Sequence, residues 1–207
     1  MIIHDCEQRS DEWYELRKGK FTASDFGDLM PSSRQKTDEW NKTQMGIIYR
    51  VAAERMTGAA ISGGFVSQAM QHGIDTEEEA RFAYELETGA EVKQVGFIEL
   101  DDWVGCSPDG LVYDYGGVEI KCPNSDTHLR YLYNPSDLKD DYYWQCVGAM
   151  LCSGREWWDL FSFDSRFKDE TKQSVMYKIE RNPADIARLI ERLDFAVKKV
   201  KEITGGI

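Results

Sequence analysis

The chain has 207 residues, 42% hydrophobic and 30% charged, which suits one folded domain with a core of its own. No apolar run approaches the ~18 residues a membrane helix needs. The start, MIIHDCEQRSDEW, lacks the basic and long apolar regions of a signal peptide, so a cytoplasmic protein with no membrane partner is expected. The net charge of −12 opposes a nucleic-acid partner, whose affinity comes largely from Lys and Arg on phosphates. That charge is unevenly placed. Residues 1–60 hold 9 basic and 10 acidic side chains, residues 61–120 hold 2 and 13, and residues 121–207 hold 14 of each. Carboxylates in such density can serve a hard divalent cation, or simply keep a surface soluble. On charge alone the solvated surface is the better reading. Five cysteines without a CxxC pair fit a reducing compartment rather than a disulfide framework.

The N-terminal third reads as helical. Ser10 can cap DEWYELRK before Gly19, Thr22 or Ser24 can open a short helix through Leu29, and a longer one spans about Thr43 to Met56. The polar stretch Ser32–Lys36 and AAISGGFVS read as loops. DTEEEARFAYELETG predicts a helix capped at Asp75 or Thr76 and closed by Gly89. Strands are expected at Val92–Leu100, Trp103–Cys106, Leu111–Tyr113 and Val118–Cys122. A helix follows at Tyr142–Leu151, then strands at Trp157–Phe163 and Val175–Glu180. The last helix has Asn182 as cap, Pro183 at its first position and an apolar stripe of Ile186, Leu189, Ile190, Leu193, Val197 and Val200. This order predicts an α/β domain with a central mixed sheet flanked by helices. It divides into a helical part (1–60), a metal-binding core (61–181) and a C-terminal helix (182–204).

One stretch, CSPDGLVYDYGGVEIKCP (Cys106 to Pro123), concentrates the chemistry. Alternate residues of a strand share a face, so Glu119 and Lys121 point one way and Val118 and Ile120 the other. Strict alternation puts Asp109, beside Lys121 at the end of the hairpin, on the wrong face unless Pro108 and Gly110 bend the chain. Two carboxylates can hold Mg²⁺ while leaving positions for water and a phosphate oxygen. A lysine beside them can orient or deprotonate that water, or offset phosphate charge. An E-x-K strand alone is also what an ordinary amphipathic edge looks like.

Pro108-Asp109 followed by Glu119-Ile120-Lys121 resembles the PD-(D/E)xK nuclease signature. More narrowly, the chain resembles the phage lambda exonuclease family of YqaJ-like viral recombinases. LRKGKFTASDF (Leu16–Phe26), HGIDTEEEAR (His72–Arg81), CSPDG, EIKCP and QCVGAML (Gln145–Leu151) stand in the family's order, from about Trp13 to Met150. The resemblance implies a restriction-endonuclease-like core and a metal site of Asp109, Glu119 and the Ile120 carbonyl. It makes Lys121 the catalytic lysine and Glu77 a further acidic residue for a second metal or its water. Without the resemblance, Glu77 is a first-turn glutamate favoured by the helix dipole.

The resemblance further implies a 5′-phosphate pocket of Arg17, Ser24, Ser107 and Gln145, a strand contact at Arg34 and an apolar wedge at Met70. Gln68 stands where the lambda protein has a lysine, a departure that weakens a phosphate contact there. The implied activity is digestion of linear duplex DNA from the 5′ end, with Mg²⁺ (or Mn²⁺ in its place), by a ring-shaped homotrimer that works with a single-strand annealing protein. Alternatives are a RecB-like or structure-specific nuclease and a non-catalytic DNA-end binder. No zinc-hydrolase HExxH and no phosphate-binding GxxxxGK[ST] loop occurs.

Overall fold

The computed structural model describes residues 1–31, 36, 38–61 and 68–206, with the side chains of 68–70 left aside. Nine strands form two sheets among these residues. In the first, β1 (Ile2–His4), β4 (Phe97–Glu99), β5 (Val104–Cys106) and β2 (Phe21–Thr22) lie side by side in that order. In the second the order is β3 (Val92–Lys93), β6 (Gly110–Val112), β7 (Gly116–Lys121), β8 (Trp157–Phe163) and β9 (Ser174–Glu180). Both sheets are mixed: β2 runs parallel to β5 and β7 parallel to β8, while the other pairs are antiparallel.

The strand expected over Val92–Leu100 divides between the sheets. Its first part pairs with β6 and its second with β1 and β5. Gly96 lies in the crossing, where an added Cβ would stand 2.2 Å from the Cys6 carbonyl oxygen. Only a residue without a side chain lets the two segments pass. β1 and β2 are too short for their periodicity to show, and they were not expected from the sequence.

The second sheet is covered on both faces. On one, Val118, Ile120, Phe161 and Phe163 pack with Ala80 and Tyr84 of α4 (Gln68–Thr88). On the other, Trp158 and Leu160 join Cys146, Val147 and Met150 of α6 (Pro135–Ser153) in the larger core. The parallel β7–β8 connection is carried by α5 (Ser125–Tyr133) and α6, since parallel neighbours need a long crossover. The helix expected at Tyr142–Leu151 therefore starts seven residues earlier, with Pro135 in its first turn. α3 (Lys42–Thr57) and α7 (Pro183–Thr204) pack against each other beyond α6. Of the predicted α7 stripe, Ile190 points outward, and Arg192 takes a place inside, its guanidinium 3.6 Å from the Trp40 ring.

α4 departs most from expectation. It continues N-terminally to Gln68, so Asp75 and Thr76 are interior and cap nothing; the Thr76 hydroxyl bonds back to the His72 carbonyl at 2.7 Å. Glu77 thus sits well inside a helix, and the dipole account of it fails. α1 (Asp11–Arg17) is capped by Ser10 as expected, and the short helix expected through Leu29 is α2 (Phe26–Leu29).

Two features of the second sheet yield stability predictions. Gly117 lies opposite Trp158, and a Cβ there would stand 2.4 Å from the buried indole. Gly117→Ala therefore costs about 1–3 kcal/mol of overpacking strain, read as a lower denaturant midpoint at unchanged slope. His128 is fully buried between Ser162 Oγ (2.8 Å) and the Lys172 carbonyl (3.0 Å). The carbonyl can only accept, so Nε2 carries the proton and Nδ1 accepts from Ser162. Burial lowers the His128 pKa below its ordinary value. The neutral form is favoured in the fold, so this contribution is complete above the unfolded histidine pKa, near 6.5, and is lost as pH falls through the folded one. Melting temperature should fall from pH 7 to pH 5, and less steeply for His128→Gln.

Candidate active site

β7 delivers Glu119 and Lys121 to the face covered by α6. Glu119 is 3% exposed, and its Oε1 accepts from Lys121 Nζ at 2.7 Å and from Gln145 Nε2 at 2.5 Å. Lys121 also donates to Gln145 Oε1 at 3.3 Å and lies 4.5 Å from the ring of Tyr142, one helical turn before Gln145. The antiparallel register answers the question of Asp109. Gly110 pairs with Val118, so one step further along the ladder Asp109 stands opposite Glu119, and residues opposite each other share a face. No bend is needed to bring it there. Its Oδ2 accepts from the Ile120 N–H at 2.7 Å.

Two carboxylates thus meet beside a single ammonium. Burial raises the Asp109 pKa well above the ordinary carboxylate range, the Glu119 charge raises it further, and Lys121 opposes both. For Lys121, burial disfavours the charge, but Glu119 and Asp109 outweigh it and the net shift is upward. As paired here, Lys121 is a proton donor with no lone pair to offer.

A second cluster forms where α1 meets the end of β5. Arg17 donates to Ser107 Oγ (2.9 Å) and Thr22 Oγ1 (3.2 Å), and its guanidinium lies 4.2 Å from the Trp13 ring. Trp13 Nε1 donates to the same Ser107 oxygen at 2.8 Å. Ser107 accepts twice, so its own O–H is left to donate elsewhere. Ser24 joins through Thr22 at 3.1 Å. Burial lowers the Arg17 pKa from its ordinary value, with Asp25 opposing, yet a guanidinium keeps its proton.

Arg17, Ser24, Ser107, Asp109, Glu119 and Gln145 line one cavity of about 150 Å³. Asp109 and Glu119 also line a second, of about 450 Å³, with Lys121, Tyr142, Arg9 and Glu77. The carboxylates are therefore the shared wall between the pocket that holds Arg17 and an open cleft. Glu77 stands across that cleft, bound to Arg9 Nη2 at 3.1 Å and Arg81 Nη2 at 3.4 Å. Among the described residues, no three His, Cys, Asp or Glu side chains converge on one point. That geometry leaves a two-carboxylate site. Arg34 lies outside the described residues, as do the side chains of Met70 and Gln68.

Sequence reasoning missed Gln8, Trp13, Thr22 and Tyr142. Trp13 precedes Arg17 by one helical turn and Tyr142 precedes Gln145 by three residues, spacings that put each pair on one helix face. Gln8 gave no signal; its amide donates to the carbonyls of Val95 (3.1 Å) and Pro108 (2.9 Å).

A mixed sheet presenting an aspartate and an E-x-K strand to one cavity defines the PD-(D/E)xK class. The chain belongs to the YqaJ-like viral recombinase family, whose domain matches residues 12–156. Among solved structures it is similar to an alkaline exonuclease from Laribacter hongkongensis (33% identity, 95% of each chain covered, TM-score 0.84). A complex of that protein with dAMP superimposes with a TM-score of 0.83 at the same identity and coverage. A phage-related exonuclease from Haemophilus somnus 129PT shares the fold at 15% identity (93% of this chain and 98% of that one, TM-score 0.75). No curated protein sequence matches the chain.

The donor set of two carboxylates and a neighbouring backbone carbonyl fits a hard divalent cation, which would offset the Asp109–Glu119 repulsion. Asp109→Asn removes that repulsion while keeping an oxygen for the Ile120 N–H. Because the folded Asp109 pKa is raised, its charge destabilises the fold increasingly as pH rises through that pKa. Without added metal the variant should be more stable than wild type at pH 8 by about 1 kcal/mol, the gain shrinking towards pH 5 in thermal melts.

Proposed function

We propose that the protein is a Mg²⁺-dependent exonuclease that digests linear double-stranded DNA from the 5′ end, releasing 5′-mononucleotides and leaving a 3′ single-stranded tail. The observation that supports this most is the shared wall: the carboxylates that would hold the metal separate a pocket suited to a terminal phosphate from a cleft suited to the continuing strand. The likeness to an alkaline exonuclease at 33% identity over 95% of both chains supports nuclease chemistry.

Asp109, Glu119 and the Ile120 carbonyl would hold Mg²⁺, with Mn²⁺ an acceptable substitute. When bound, the ion would lower the pKa of its water and offset charge on the scissile phosphate. The chain's own groups do the rest. The Arg17 guanidinium and the Ser107 O–H give a terminal phosphate a cation and a donor, with Ser24 and Gln145 as further polar partners. Filling a pocket of about 150 Å³ with that phosphate would fix the distance from the chain end to the cut. The Lys121 ammonium, between Glu119 and the cleft, would donate to a phosphate oxygen or orient the attacking water. Glu77 becomes available to a second metal or its water only if it leaves Arg9 and Arg81. Arg34 and Met70 are assigned to the DNA strand and its terminal bases on resemblance alone.

A homotrimeric ring threaded by DNA, a single-strand annealing partner and a cytoplasmic, phage-encoded setting complete the reading on family membership. No helix among the described residues is long and apolar enough to cross a membrane.

The test offers 5′-phosphorylated linear duplex and covalently closed circles, each with Mg²⁺ or EDTA. Linear DNA should be shortened only with Mg²⁺ and the circle spared; equal attack on the circle would sink the reading. Glu119→Ala should abolish cleavage. Arg17→Ala should cut the preference for 5′-phosphate over 5′-hydroxyl ends by roughly 10-fold or more, the loss of a charge-assisted pair.

A further inference from the structure

Arg9 is not part of the sequence motifs, yet three cavities meet at its segment. Besides the two at the carboxylates, a third of about 500 Å³ is lined by Gln8, Arg9, Glu77, Arg81 and Gln94. Arg9 lines the open cleft and this third cavity but not the phosphate pocket. Its position is fixed: Gln8 is tied to the carbonyl of Pro108, the residue before Asp109. Its backbone is costly, with φ at +70°, a region that favours glycine. A strained arginine at the edge of a catalytic cleft is an observation that calls for a use.

Its present partner is a weak hold. The Arg9–Glu77 contact is 3.1 Å with the arginine side chain 45% exposed, and Glu77 has Arg81 as a second partner. Exposed pairs of this kind add little to stability, so the guanidinium can exchange Glu77 for another oxyanion at little cost. Asp5, Glu7 and Glu78 also line the third cavity, so a phosphate would reach Arg9 from the open cleft.

We infer that Arg9 is a DNA-contacting residue that binds the backbone phosphate on the retained side of the cut, opposite to the terminal phosphate held at Arg17. This rests on the exonuclease reading for the direction of the strand. By leaving Glu77 for DNA, Arg9 also makes binding of the continuing strand the event that loosens the Glu77 carboxylate.

The experiment measures binding, which needs no cleavage: fluorescence anisotropy of a labelled linear duplex in EDTA, across a salt series, for wild type, Arg9→Gly, Arg9→Lys and Arg17→Ala. Arg9→Gly should weaken binding roughly 10-fold and reduce the slope of log Kd against log salt by about 1. The loss should be equal for 5′-phosphate and 5′-hydroxyl ends, whereas Arg17→Ala affects only the phosphorylated end. Arg9→Lys should restore the salt slope. Melting temperature of Arg9→Gly should match or exceed wild type, since glycine accepts the left-handed backbone. A lower melting temperature with unchanged affinity and slope would show a structural role and overturn the assignment. A loss confined to 5′-phosphorylated ends would overturn the retained-side placement. Should wild type bind but never cut, the exonuclease reading fails while the salt slope still judges Arg9 as a phosphate contact.

Discussion

The hydrogen bond from the Ile120 N–H to Asp109 Oδ2 is the constraint on which the site depends. It joins the last turn of backbone before β6 to the last residues of β7, just where the antiparallel ladder runs out. An unpaired N–H at that point would cost free energy, and the aspartate side chain supplies the acceptor the partner strand no longer provides. In doing so it brings one carboxylate beside another. The fold thus satisfies a backbone donor by creating an electrostatic problem, and the problem lies at the floor of a cleft.

The opposing charges are arranged to leave that problem unsolved within the protein. Lys121 and Gln145 both serve Glu119 Oε1, so the favourable contacts fall on one carboxylate. Asp109 receives one backbone N–H and no side-chain donor among the described residues. An asparagine would satisfy the same N–H without the second charge, and the residual repulsion is what would give a hard cation a reason to bind. Ser107, Pro108 and Asp109 form the whole link between β5 of one sheet and β6 of the other. A three-residue link therefore carries a residue of the Arg17 pocket and a residue of the carboxylate pair. The pocket and the pair cannot move apart without pulling on both sheets.

How much of this could be read from the sequence follows from how local each feature is. β8 and the capped start of α7 were legible because period and caps are properties of adjacent residues. So was the pairing of Glu119 with Lys121 on one face. The face of Asp109 was not, because it depends on a register set by Gly110 and Val118 across a hairpin. The Val92–Leu100 run misled for the same reason: it reads as one strand locally and is divided by what it meets in space. α5 and the first half of α6 escaped since their start signals, Asn124 and Asn134-Pro135, stand among residues that also read as loop. The concentration of acid in residues 61–120 was a poor guide. Glu78, Glu79 and Glu87 face solvent, Glu99 and Asp102 pair with Lys20 and Arg55, and Asp101 accepts the N–H groups of Trp103 and Val104. Only Asp109 and Glu119 reach the floor of the site.

The N-terminal segment explains what the first sheet is for. β1 pairs with β4 and β2 with β5, so the chain between them, from Asp5 to Lys20, is pinned at both ends. Within that span lie Gln8, Arg9, Trp13 and Arg17, which line the cavities around the carboxylates. The Gln8 amide spans Val95 and Pro108, tying this segment to the crossing strand and to the link between sheets. Trp13 then holds Arg17 from below and Ser107 from the side. On the exonuclease reading, the E-x-K strand would supply reactive groups but no means of choosing where on a polymer they act. Position would come from the segment pinned by the first sheet, a division of labour that would give the second sheet of so short a chain its use.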